Sequence, residues 1–216
     1  MSANKTSTTR AKLITAAKIV FARLGYENTL MRDIIVESNL SPGTFYNYFT
    51  DKHAVMHIVV NNLAEEVATY LSKAIAGDLD VKTLFTKFLK SFFEAFTLNE
   101  VNLQFLAKNQ AYFRAVYFEN HHIITALKAS KAYLNNFYGS GYLNDNIKWL
   151  TYAMLGSCTE FLIQIANKQT KYDIDYLVGF LVNIYIDGLQ NTIDKNYYSN
   201  ADNNSDLIIE EATLML

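Results

Sequence analysis

With 216 residues, half of them hydrophobic and 14% aromatic, the chain can bury a full core, and disorder is excluded for most of its length. Eight Gly and one Pro leave little punctuation for hairpins or strand–helix–strand crossovers, and a single Cys, Cys158, excludes an internal disulfide framework and a multi-cysteine zinc site. The net charge of −2 names no partner by itself.

The charge is unevenly placed. Residues 1–60 hold Lys5, Arg10, Lys12, Lys18, Arg23, Arg32 and Lys52 against Glu27, Asp33, Glu37 and Asp51, so the basic excess is N-terminal. The opening MSANKTSTTRAK is polar with no apolar signal core. The greasiest stretch, DYLVGFLVNIYIDGL, is interrupted by Asn183 and Asp187. A cytoplasmic protein without a membrane span is expected.

Taken in chain order, the spacing predicts a first helix from Thr8 or Thr9. Its stripe of Leu13, Ala17, Val20, Phe21 and Leu24 ends at Gly25. Thr29 is expected to cap a short second helix with Ile34 and Ile35 inward, and Asn39 to take the left-handed turn position after it. Ser41 then caps a third helix of about two turns, with Pro42 at its first position and Leu40 stapled to Phe45. A fourth helix follows from Asp51 to about Ala76, with Val55, Ile58, Val59, Leu63, Val67 and Leu71 on its apolar face.

Two short helices joined by a turn, the second entered through a capped, Pro-initiated start, make a helix-turn-helix over about 30–49. At 100° per residue from Pro42, Phe45 and Phe49 fall together at about 300° and 340°, which makes them the buried face. Asn47 then points directly outward, with Gly43 and Thr44 on the same side, while Tyr46 and Tyr48 flank that face roughly 80° from the core direction. Asn47 is the candidate base contact, since a carboxamide pairs bidentately with adenine, and Thr44 is placed to touch a thymine methyl. Thr29, Ser41, Tyr46, Tyr48, Lys52 and the backbone after Pro42 are candidate phosphate contacts, and Arg32 is a further DNA-binding candidate. Gly43 lowers helix propensity by about 1 kcal/mol against Ala, which close approach of a phosphate would offset. Packing against the first and fourth helices is the competing role for the two tyrosines.

These residues carry a resemblance. Arg32-Asp33-Ile34, Ser38-Asn39-Leu40-Ser41, Gly43-Thr44-Phe45-Tyr46, Tyr48-Phe49 and Lys52 resemble the DNA-binding domain of the TetR family of transcriptional repressors, over residues 10–55, about a fifth of the chain. Ile35 stands where that pattern usually has Ala, and Asn39 where it has Gly. The resemblance implies an all-α homodimer, each subunit carrying an N-terminal DNA-binding head and a larger helical body. A small molecule bound in that body would shift the spacing of the two heads. Two-fold symmetry implies a pseudo-palindromic operator with half-sites about one helical turn apart.

The body reads as five more helices, near 81–97, 100–107, 109–138, 144–169 and 173–195. Domains are expected at 1–51 (DNA binding) and 52–196 (effector binding and dimerisation), with a polar tail at 197–216. Most aromatic residues of the body are expected in its core. A subset, Phe92, Phe96, Phe105, Tyr112, Phe113, Tyr152 and Phe161, would line an apolar effector cavity with Gln110, Thr159 or Glu160 as polar anchors. The body's long helices are also distantly similar to those of fatty-acid-responsive family members. The last two helices would pair with their copies through small residues at Gly156, Ser157, Ala166, Gly179 and Gly188.

No catalytic constellation is found. His53 and His57 lie i, i+4 without an HExxH pattern or a third ligand, GSG at 139–141 is too short for a phosphate loop, and there is no GxSxG. Cys158 reads as a small buried hydrophobe. The expectation is a ligand-responsive transcriptional repressor without catalytic residues, metal or cofactor, partnered by duplex DNA, a second copy of itself and a small apolar or aromatic effector. The alternative is a helical carrier or enzyme with a structural N-terminus.

Overall fold

A computed structural model describes residues 2–74, 79–117, 146–168 and 173–187, and among them every regular element is helical. In chain order these are α1 (Ser2–Leu24), α2 (Met31–Ser38), α3 (Pro42–Tyr46), α4 (Lys52–Ala74), α5 (Val81–Thr97), α6 (Glu100–Lys108), α7 (Gln110–Tyr117), α8 (Asn146–Ala166) and α9 (Ile174–Val182). A π-helical turn, Asn183–Asp187, continues α9. The expected long helix at 109–138 is seen only as α7. Its remainder, Gly188 and the tail at 197–216 lie outside the described residues.

Local chemistry explains most boundaries. Gly25 has φ +75, a left-handed stop that ends α1, and an added Cβ would sit 3.3 Å from the Lys108 carbonyl oxygen. Asn39 closes α2 at φ 54. The Asp80 carboxylate caps α5 through the Thr83 amide, Asn99 caps α6 through Val101 and Asn102, and Asp173 caps α9 through Asp175 and Tyr176.

Two expectations change here. Helix α1 starts at Ser2 rather than near Thr8, because its polar first turns share the same continuous helical backbone. Thr29 does not cap α2. Leu30 occupies that position, with its amide held by the Asp33 carboxylate at 2.8 Å, and the Thr29 hydroxyl donates to the Gly25 carbonyl at 2.7 Å.

Packing makes α1 the shared wall of the molecule. It lies against α2 and α4 on one side and α6 on another; α5 lies against α4, α6 and α9, and α6 also meets α8. One apolar cluster runs from Leu13, Phe21 and Phe45 through Val59 and Leu63 to Phe92, Phe96, Phe105, Leu162 and Leu181. Each large side chain in it adds about 1.5–3 kcal/mol by burial, so the N-terminal helices and the body share a common source of stability.

Candidate nucleic-acid interface

Helix α3 is held at its start and along one side. The Ser41 hydroxyl oxygen accepts from the Thr44 amide at 3.3 Å and shares a 2.8 Å bond with the Thr44 hydroxyl. Leu40 packs against the core beside it. Phe45 and Phe49 are both buried, with ring centroids 5.6 Å apart, so this face is fixed as the helical wheel requires. The helix is shorter than expected. It gives way at Asn47, after which the amides of Tyr48 and Phe49 both bond to the Phe45 carbonyl.

The opposite side is open. Asn47, Gly43, Ser41 and Pro42 are exposed, Thr44 is half-buried, and Tyr46 is 58% exposed with its ring edge-on to Phe45. Tyr48 is half-buried against the core, so the two tyrosines differ in how far they stand out. No atom lies within 4 Å of the place a Cβ would take on Gly43, and its φ is not in the left-handed region. Nothing inside the chain requires glycine at that position.

Two expected phosphate contacts are turned inward. Thr29 is fully buried, its hydroxyl engaged by Gly25, because the α1–α2 loop folds over it. The Lys52 ammonium donates to the carbonyls of Tyr26 at 2.8 Å, Thr29 at 3.0 Å and Glu27 at 3.5 Å, and lies 4.3 Å from the Tyr26 ring centroid. It gathers the carbonyls of a loop that has no helix to satisfy them. Arg32 remains available: it is 80% exposed and only 3.9 Å from its neighbour Asp33.

Behind this surface the loop is tied to the body. Asn109, at the break between α6 and α7, is buried; its carbonyl oxygen accepts from the Tyr26 amide at 2.7 Å. Its NH2 group donates to the carbonyls of Phe21 at 3.0 Å and Phe105 at 2.8 Å. Tyr26 packs against Tyr112 with centroids 4.3 Å apart and planes tilted by 48°; burial and the bond to Tyr26 push the Tyr112 hydroxyl up to about 12. His53 and His57 are exposed beside this pair, rings 5.4 Å apart, and among the described residues no third metal-ligating side chain joins them. The sequence reading missed Asn109. Its only signal was an Asn at a helix break, which reads equally well as a cap.

The expected effector site does not assemble as predicted. Phe92, Phe96, Phe105 and Phe113 are buried, with Phe96 centred 5.4 Å from Phe92 and 5.7 Å from Phe113, so they fill space by packing on one another. Tyr112 belongs to the loop joint, while Thr159 and Phe161 are half-buried. Gln110 and Glu160 cannot be interior anchors. Both are exposed, Gln110 bonding back to the Ala107 carbonyl and Glu160 accepting from Gln164 on its own helix. Tyr152 is also exposed, edge-on to Trp149.

Helices α8 and α9 each carry an exposed stripe. Trp149 (65% exposed), Tyr152, Ala153, Gly156 and Glu160 form one stripe along α8; Tyr176 (72%), Gly179, Phe180, Asn183 and Ile184 form another along α9 and its continuation. Two of the small residues expected on these stripes are turned into the chain instead. Ala166 is buried and its carbonyl accepts from Gln104, and the Ser157 hydroxyl bonds to Tyr185 at 2.7 Å. Cys158 is buried within the core cluster, and burial pushes its thiol up to about 12.

Fold and surface together define an all-helical protein with a helix-turn-helix at its N-terminal end. The pattern of bacterial regulatory proteins of the tetR family matches residues 13–57. That match spans the N-terminal helices, from within α1 into the start of α4. Its N-terminal part is 34% identical over 65 residues to the uncharacterised HTH-type transcriptional regulator YfiR of Bacillus subtilis, covering 30% of this chain and 32% of that one. The chain thus matches about a third of that relative's length. The whole fold is shared with a TetR-like regulator from Rhodococcus sp. RHA1 (TM-score 0.64, 15% identity, 84% of this chain and 96% of that one). It is shared also with FadR of Bacillus subtilis in complex with stearoyl-CoA (TM-score 0.62, 17% identity, 82% and 98%). No described helix is long and apolar enough to cross a membrane.

Proposed function

We propose that the protein is a cytoplasmic, ligand-responsive transcriptional repressor that binds a pseudo-palindromic operator as a homodimer. The observation that carries this reading is the open face of α3: Asn47, Tyr46 and Gly43 stand out from a helix whose other side is fixed by Phe45 and Phe49. A short helix clamped on one side and polar on the other fits a major groove, with Asn47 reading a base and the flanking hydroxyls of Tyr46, Tyr48 and Ser41 meeting phosphates. Gly43 then has an external reason, since only the backbone stands between the helix and a phosphate there. The helices before residue 52 serve as the DNA-binding unit and those after it as the effector and dimerisation unit.

The exposed stripes of α8 and α9 support pairing with a second copy, because a two-fold axis brings each apolar stripe against its own counterpart. The effector is small and largely apolar. Support comes from the phenylalanine-rich interior of α5–α7 and from the fold shared with FadR, which was solved with stearoyl-CoA. Since Phe92, Phe96, Phe105 and Phe113 pack on one another, such a ligand enters by parting them, and it favours whichever arrangement of the heads accommodates that change.

Selection of bound sites from random duplex DNA, followed by gel shifts across a salt series, tests the reading. A two-fold consensus bound selectively at physiological salt is expected. Asn47→Ala should relax preference at one base pair per half-site by about 1–3 kcal/mol while leaving binding to unrelated DNA unchanged. Binding with no sequence preference would return the N-terminal helices to a structural role.

A further inference from the structure

The recognition segment from Ser41 to Asp51 contains no Lys or Arg and ends in an acid, so the cations that a duplex requires must come from other elements. Three of the seven basic side chains in the first 60 residues are already committed. Lys18 pairs with Glu66 at 3.4 Å, Arg23 pairs with Glu37 at 3.2 Å, and Lys52 is enclosed by three carbonyls. Arg32 is exposed at the start of α2.

Arg10 is different. It is exposed on α1, and its guanidinium carbon lies 5.7 Å from the ring centroid of Phe49, the residue that anchors the C-terminal end of the recognition segment. Among the described residues it makes no ion pair. Asp51, the nearest acid in sequence to Phe49, is engaged elsewhere: its carboxylate accepts from the Ala54 amide at 2.8 Å, which holds it below the usual carboxylate range, and from the Thr50 hydroxyl. Lys12 cannot share this position, because two residues along a helix turn it about 200° away from Arg10.

We propose that Arg10, held over the Phe49 ring, supplies the DNA-phosphate contact at the edge of the recognition helix that Lys52 does not supply. The inference rests on the proposed DNA-binding function. Stacking on an aromatic ring restrains the guanidinium before DNA arrives while leaving its N–H edge free to fork onto phosphate oxygens, so less side-chain freedom is lost on binding. One such cation per subunit adds two phosphate contacts to a two-fold complex.

The test uses the full chain and the operator selected above, with affinity measured between low and physiological salt for the parent, Arg10→Ala, Arg10→Gln and Arg10→Lys. Arg10→Gln keeps a planar group over Phe49 without the charge. Both neutral variants should weaken binding roughly tenfold on operator and unrelated DNA alike and flatten the log–log salt slope by about 2 per dimer. Arg10→Lys should keep the parent slope. Parent slopes in both neutral variants, whether or not their melting temperatures fall, would reduce Arg10 to a packing residue. A loss confined to the operator would make it a base contact and overturn the phosphate assignment. Absence of selective binding by the parent itself would sink the functional reading rather than this one.

Discussion

The open side of α3 and the stripes on α8 and α9 both hold aromatic rings in solvent, yet they are built for different surfaces. Around α3 the exposed ring of Tyr46 ends in a hydroxyl and shares the open side with exposed Asn47 and Ser41 and half-buried Thr44. Along α8 and α9, Trp149, Phe180 and Ile184 stand beside Gly156 and Gly179, with Glu160 and Asn183 toward the ends of the stripes. The first surface suits a charged, hydrated partner. The second gains by excluding water, which a copy of itself can do.

The largest effect should come from breaking the second surface. With α8 and α9 pairing as proposed, Phe180→Asp would put two like charges in a symmetric apolar contact, so about 4 kcal/mol or more of association energy should be lost, with a dimer-to-monomer shift in sedimentation at micromolar concentration. Operator affinity should fall with it, while unfolding of the monomer in urea should change little. Retention of the dimer would place the interface elsewhere.

Cutting the tie between the two regions comes next. Asn109→Ala strands the Tyr26 amide and leaves the Phe21 and Phe105 carbonyls with only their backbone donors, a loss of about 1–3 kcal/mol in urea unfolding, with hydrogen exchange rising first in the α1–α2 loop. A smaller loss follows for Lys52→Met, about 1 kcal/mol, because its carbonyl contacts are partly exposed. The salt slope of DNA binding should stay at the parent value in that variant. A flattened slope would show that Lys52 leaves the loop to meet phosphate, and would bring α4 into the first surface.

The smallest effect is one of pH. Cys158 and Tyr112 stay protonated in the fold up to about 12, whereas in the unfolded chain they ionise near their ordinary values, 9.0 and 10.0. The folded state therefore binds more protons in this window, and stability should decline as pH rises above about 9. A thiol reagent at pH 8 should label Cys158 only after denaturation. Rapid labelling of the native protein would mean that the core around it opens.

Much of the fold was legible because local chemistry repeats along the chain. Gly25, Asn39, Ser41 and Pro42 each act on their own backbone, and each takes the predicted place. Phe45 and Phe49 share a face because the chain stays near helical even after α3 formally ends, so the wheel survives the error in helix length. The effector anchors were not legible. Gln110 and Glu160 are polar residues on aromatic-rich helices, and which way such a helix is turned depends on neighbours far off in sequence.

What the sequence determined by itself was the set of helices at the N-terminal end and the division of buried Phe45 and Phe49 from exposed Tyr46 and Asn47, since caps, turns and periodicity act within a few residues. Tertiary structure alone decided the fate of the charges and amides. Lys52 turned to a loop 23 to 26 residues before it, Asn109 bonded across 83 residues to the α1–α2 loop and 88 to α1, and Arg10 came to rest on Phe49. Long flexible side chains reach whatever acceptor or ring the packed backbone brings near, and that neighbour has no trace in the adjacent sequence.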